Sequence, residues 1–368
     1  MSHVIALAGP GKRPAASERA RHAATYIKHQ FEACGLTAVE HPFPMLSFDE
    51  IETRLSVVGT TEHIPAEALL YSPSGHLSAE VVAVPNAGRV NDFGNVDLRG
   101  KIALVQRGGI RLREKALAAA RAGALAVLIH NTNPEPFLGT LGEPVSIPAL
   151  ALSGRAGTLL LESLRQGPLT LRLDSDTLIA TRTGINIVAT RAGASPKTIV
   201  LGAHYDTVTN SPGANDNASG TAVLLELARI LAQHVRPETF QFIAFDGEEE
   251  GLLGSREYVR QLSPNQRMDI QVMINLDELG AGDRPYAFDG ETVLVQKAIR
   301  AAKHLGKEAH RMDSGAGSDH ASFAEVGIPV LFMFREDPLF HTPQDTPDRV
   351  KPEWLEAAGR IVLEVLAH

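Results

Sequence analysis

A chain of 368 residues exceeds the size at which one hydrophobic core stops growing, so two domains are expected. Hydrophobic residues at 44% and charged residues at 21% are globular values with material for a sizeable core, and they exclude a disordered chain. The formal net charge of −8, with no block of Lys and Arg set against it, argues against a nucleic-acid partner, because phosphate binding needs a concentrated basic face.

No apolar run approaches the ~18 residues of a membrane span, so no membrane partner is expected. The start, MSHVIALAGPGKR, lacks a basic stretch and is too briefly apolar for a secretory signal. As it stands the chain reads as cytoplasmic; a trimmed N-terminus would leave a secreted protein looking the same. The single cysteine, Cys34, excludes an internal disulfide and is expected to be a small buried residue in a helix.

In chain order, residues 16–35 predict a helix, with Ser17 as its cap, apolar side chains near helical spacing and Gly35 as its stop. A strand-like stretch follows to Phe43. From 55 to 182 the pattern changes to short strands (80–85, 101–106, 124–130), an Ala-rich helix at 112–122 and another at 154–165. This block holds His63, His76 and His130 but no close cluster of metal-ligating side chains, and reads as a folding or recognition module without chemistry of its own. From 185 onward, strands at 185–190, 198–203, 239–245, 271–276 and 328–334 alternate with helices at 219–234, 252–262, 291–305 and 353–367. Apolar strands separated by amphipathic helices predict an α/β fold, with a mostly parallel sheet sandwiched by helices.

The chemistry-bearing residues fall where these strands end, and in open α/β sheets that edge collects ligands. Strand 198–203 runs into His204-Tyr205-Asp206, where a ring nitrogen can take a metal and the Asp can orient the ring. Asp216 sits in the Gly-bounded loop 213–220, a position that also suits a helix cap. Strand 239–245 ends in Asp246, Glu248, Glu249 and Glu250, whose mutual repulsion calls for neutralising cations or protons. Strand 271–276 ends in Asp277, and His341 follows strand 328–334. Two His and three carboxylates suit Zn²⁺, and a shared carboxylate lets five ligands hold two ions. A spare Glu could act as base for the attacking water, but composition does not choose among the three consecutive Glu residues.

The motifs GAHYDTV (202–208), GANDNASGTA (213–222), EEEGLLGS (248–255), NLDELG (275–280), SDHASF (318–323) and HTPQDT (341–346) resemble, in order, those of the M28 family of zinc aminopeptidases. The resemblance implies two zinc ions per chain, one held by His204 and Asp277, the other by Glu249 and His341, with Asp216 bridging. It implies that Glu248 is the general base for a metal-bridging water, that Asp206 supports His204, and that Asp319 and His320 support the site. The stretches DLRGKIALVQRGG (97–109), AGALAVLIHN (122–131) and IPALALS (147–153) resemble a protease-associated (PA) domain. Together these imply a zinc-exopeptidase fold built from residues 1–54 and 183–368, with a β-rich PA domain inserted at 55–182.

The implied substrate is a peptide with a free N-terminus. One departure is Phe340, where some family members carry a Tyr that supports the oxyanion; here the zinc ions, or another donor, are expected to do that work. A carboxypeptidase or dipeptidase on the same centre is the alternative, with Arg311 and Arg335 as candidate grips for a terminal carboxylate. The extra block precedes the first His, whereas in the related M20 peptidases it follows the acidic motif. Glutaminyl-cyclase relatives use one zinc, and the complete five-residue set counts against them, as it does against a non-catalytic binding protein. Leu331, Phe332, Met333 and Phe334 read as core strand rather than as a specificity pocket.

Overall fold

The computed structural model describes residues 1–312 and 317–367. The chain forms two compact units, Met1–Met45 with Arg182–His368, and Leu46–Thr181. The expected boundaries after 54 and 182 fall inside two long strands, Thr37–Val57 and Thr170–Arg191, so no linker marks either crossing.

In the first unit, four strands form the parallel heart of a sheet: Thr239–Phe245, Thr198–His204, Ile270–Leu276 and Val330–Phe334, paired in that order. Residues 187–191 pair antiparallel with the first of these, and Tyr286–Gly290 pairs antiparallel with the last. Ala309–Arg311 completes the far edge. Alternate side chains serve opposite faces, as the period of two in a strand requires. Ile199, Leu201 and Ala203 join one core, packed by helices Glu18–Ala33, Gly220–Ala232, Thr292–His304 and Pro352–Ala367. Val200, Ile243, Phe245 and Met273 join a smaller core on the other face, with Tyr258 and Val259 of helix Leu253–Gln261 and Phe323 of helix His320–Ala324.

The second unit has its own core. Strands Gly75–Ala83, Ile102–Gln106, Ala126–His130 and Ala149–Leu152 are successive parallel neighbours. Ala66–Ala68 flanks them antiparallel on one side and residues 170–175 on the other. Helices Leu112–Arg121 and Gly154–Gln166 complete the unit. Among the described residues, His63, His76 and His130 join no group of three potential metal ligands.

Several sequence expectations shift. The strand expected to stop at Phe43 runs from Thr37 to Val57; Pro42 and Pro44 do not end it, because Phe43 and Met45 keep an alternating buried face. Strand 328–334 begins at Val330, since the Ile328 N–H closes the preceding helix on Phe323 O and Pro329 has no N–H to give. Cys34 is half-buried at the C-cap of helix Glu18–Ala33 rather than inside it, while Ser17 does cap that helix, accepting from Ala20 N. A short helix, Ser2–Ala8, buries Val4, Leu7 and Ala8 where no element was expected. Among the described residues, no helix is long and apolar enough to cross a membrane.

Candidate metal centre

The parallel strands end together, and their last residues or following loops carry the five expected metal ligands with Asp206 and Glu248, whereas Asp319 and His320 lie at the start of helix His320–Ala324. His204 is the final residue of its strand, in register with Phe245, so the loop that begins at Asp246 starts beside it. Asp277 follows Leu276 directly. Asp216 lies in a wide turn, Ala214–Ser219, that feeds helix Gly220–Ala232, and it is not the N-cap of that helix. Gly220 has to be glycine here: a Cβ would stand 2.3 Å from Leu276 O and 2.4 Å from Asn217 Oδ1.

Two trios of side chains converge, His204 with Asp216 and Asp277, and Asp216 with Glu249 and His341; in each, the potential ligand atoms lie within 4.8 Å of one another. His204 Nε2 is 3.2 Å from Asp216 Oδ1 and 3.3 Å from Asp277 Oδ1. His341 Nε2 is 3.0 Å from Asp216 Oδ2 and 3.0 Å from Glu249 Oε2. Asp216 thus offers a different oxygen to each trio.

The supporting hydrogen bonds explain how these loops hold their shape. Asp206 accepts the backbone N–H of Glu248 on Oδ1 and that of Glu249 on Oδ2, both at 3.2 Å. Its Oδ1 also lies 3.5 Å from His204 Nδ1. One carboxylate therefore faces the first histidine and anchors the acidic loop. Asp345 accepts from Asn215 N at 2.7 Å and Asp216 N at 3.1 Å, tying the turn to the loop that carries His341. Ser318 donates to Asp277 Oδ2 at 2.8 Å and accepts from Asn275 Nδ2 at 2.8 Å. Asn215 Oδ1 accepts from Gly280 and Ala281 N–H. The roles of Asn215, Ser318 and Asp345 were not read from the sequence, although each lies inside a quoted motif.

The electrostatics are those of a buried anionic cluster. Burial pushes the Glu248 carboxyl well above its ordinary range. Burial and repulsion from Asp216 raise Glu249 to about 7. Asp319 is buried and raised to about 7, chiefly by burial. Burial acts against a charge on Asp216 as well, but hydrogen bonds with His204 and His341 outweigh it and hold this carboxyl low. Burial likewise acts against a charge on His341, yet Asp216 and Glu249 raise it to about 10. His320 is different: its ring stacks on Phe332 with centroids 4.3 Å apart, and burial depresses it to about 4.

The donor set fits zinc. Imidazole nitrogen and carboxylate oxygen are the ligands of a borderline divalent cation. Among the described residues, buried Glu249 Oε1 and Asp277 Oδ1 have no hydrogen-bond partner. Buried polar atoms are normally satisfied, and atoms left over around a carboxylate cluster mark a place for a cation.

Known proteins resemble the chain over both of its units. The family model described as peptidase family M28 matches residues 186–366, and that of the PA domain matches residues 77–160. Aminopeptidase YwaD of Bacillus subtilis (strain 168) is 35% identical over 327 residues, covering 83% of this chain and 71% of the relative. An aminopeptidase structure from Aneurinibacillus sp. strain AM-1 superposes with a TM-score of 0.90 at 32% identity, covering 99% of this chain and 92% of the other. A zinc aminopeptidase from Bacillus subtilis does so with a TM-score of 0.82 at 29% identity, covering 99% and 93%. With its site built on a parallel sheet edge and a PA domain within the same chain, the protein belongs to peptidase family M28.

Proposed function

We propose that the chain is a two-zinc aminopeptidase, with His204, Asp216 and Asp277 holding one ion and Asp216, Glu249 and His341 the other. The observation that carries this reading is Asp216, whose two oxygens serve two separate trios. Zinc, when bound, supplies Lewis acidity that makes hydroxide available near neutral pH and offsets charge developing on the attacked carbonyl oxygen.

The rest of the chemistry belongs to the chain. Glu248 lies beside both trios without joining either, so its carboxylate is free to take the proton of the attacking water and pass it to the departing amine. Asp206 sets the position of Glu248 through the backbone amide and that of His204 through the ring. Replacing Asp206 by Asn removes one of the two acceptor oxygens that hold the Glu248 and Glu249 amides. We expect kcat/KM to fall about 10- to 100-fold, the usual cost of losing such a partner, measured at saturating zinc.

The choice between a peptide's two ends follows from charge. A carboxypeptidase needs a free cationic side chain for the terminal carboxylate. Arg335 is buried and donates all of its side-chain nitrogens to the carbonyls of Ala281, Gly282 and Arg284, with its guanidinium 3.6 Å from the Trp354 ring centre. Arg311 donates to Gly290 O and Thr292 Oγ1, away from both trios. The carboxylate excess instead suits a substrate ammonium group. The zinc-loaded protein is expected to release the chromophore of an aminoacyl anilide, to lose turnover when the α-amine is acetylated, and to ignore amidation of a peptide's C-terminus. Cleavage that survives acetylation but not amidation would establish the carboxypeptidase instead.

Phe340 stands at the rim, 42% exposed, its ring centroid 4.4 Å from that of His341. With zinc as the main support for the oxyanion, Phe340→Tyr should change kcat less than about threefold, or ~0.7 kcal/mol in the barrier. A many-fold rise in kcat at constant KM would show that a donor is missing.

A further inference from the structure

Arg13 is 1% exposed, and each of its three guanidinium nitrogens donates to a backbone carbonyl. Nε donates to Tyr205 O at 2.5 Å, one terminal nitrogen to Pro212 O at 2.7 Å and the other to Gly213 O at 2.8 Å. Its main chain pairs with Thr207 in both directions: the Arg13 N–H donates to Thr207 Oγ1 at 3.0 Å, and the Thr207 N–H donates to Arg13 O at 3.3 Å. These four residues belong to one loop, the segment that leaves His204 and arrives at Asp216. The loop is folded around Arg13 as a template.

Two features separate this from ordinary packing. A buried guanidinium carries a desolvation cost that an apolar side chain of similar volume would avoid, and among the described residues no carboxylate is hydrogen-bonded to this one to offset it. Compensation comes instead at longer range. Burial pushes its pKa down to about 10, but the charges of Asp206, Asp216, Asp345 and Glu249 act in the opposite direction, so it remains a cation at neutral pH. Second, the planar fork fixes three acceptors at once, which a lysine's single ammonium does not.

We propose that Arg13 is a positioning residue of the metal centre: it sets the spacing between His204 and Asp216 and keeps a permanent positive charge behind the carboxylates, touching neither substrate nor metal. The proposal rests on the two-zinc reading. It places an essential part of the site in the N-terminal segment, far in sequence from every motif.

The test is zinc affinity, measured by competition with a chelator on full-length wild type, Arg13→Lys, Arg13→Ala and Phe31→Ala. The last variant opens a cavity in the core below the sheet and serves as the control for lost stability alone. Arg13→Lys is expected to bind zinc about 10- to 100-fold more weakly, the range for loss of a group that orients ligands, and kcat should recover as zinc is raised to saturation. Added guanidinium ion should restore zinc affinity to Arg13→Ala. Phe31→Ala should melt earlier with its zinc affinity unchanged. Wild-type affinity in Arg13→Lys, or an equal loss of affinity in Phe31→Ala, would overturn the proposal. So would failure of both Arg13 variants to fold with zinc in excess, since Arg13 would then be a core residue. A wild-type protein that binds no zinc would instead remove the reading on which the proposal rests.

Discussion

Glu248→Gln is expected to lower kcat by about 10²- to 10⁴-fold while leaving fold, zinc content and KM close to those of the unaltered protein. The substitution keeps shape and volume and removes only the ability to accept a proton. Glu248 belongs to neither trio, so the amide should not disturb the ligands. Its backbone N–H remains on Asp206 Oδ1, so the loop should keep its place. Burial disfavours its charged form, which makes it a stronger base than an exposed glutamate. Zinc content by mass spectrometry and steady-state kinetics on the same sample check the outcome. A kcat within a few-fold of the original would move the base to another carboxylate, and Glu278 is the next to examine, being buried and raised well above its ordinary range by burial and its acidic neighbours.

Asp216→Ala is expected to have the larger effect on metal. Each of the other four proposed ligands serves one trio, whereas Asp216 serves both. Its removal should therefore empty the protein of tightly held zinc, while His204→Ala should weaken one ion and leave Asp216, Glu249 and His341 for the other. Activity of Asp216→Ala should fall further than the ~10- to 100-fold typical of losing an outer partner. Thermal melting without metal separates this from misfolding. Asp216 is a leading source of the attraction that raises the pKa of His341, so its loss should also lower that pKa toward that of an ordinary imidazole. Equal zinc loss in the two variants would argue against a shared aspartate.

The parts of the site that could be read from the sequence were those tied to regular structure. His204 and Asp277 follow apolar runs whose strand character fixes where the chain emerges, so their meeting at one sheet edge follows from topology. Glu248 and Glu249 were separable only through resemblance, because three adjacent glutamates look alike to composition; the structure distinguishes them by assigning Glu249 to a trio and leaving Glu248 beside it. Asp206 was read as a partner of His204, but its hold on two amides 42 and 43 residues away depends on how a loop closes, which no local pattern encodes. Arg13 is the clearest example: it sits in a short stretch with no periodicity, and its partners are 192 to 200 residues distant. Strands Tyr286–Gly290 and Ala309–Arg311 went unread because they are short and lack the continuous apolar run that marks the central ones.

Anomalous diffraction at the zinc edge, from crystals of the zinc-loaded protein, tests the shared-aspartate centre most directly. Two peaks are expected about 3.5–4 Å apart, one among His204 Nε2, Asp216 Oδ1 and Asp277, the other among Asp216 Oδ2, Glu249 and His341 Nε2. A single peak at full occupancy, or two peaks of which only one touches Asp216, would contradict it.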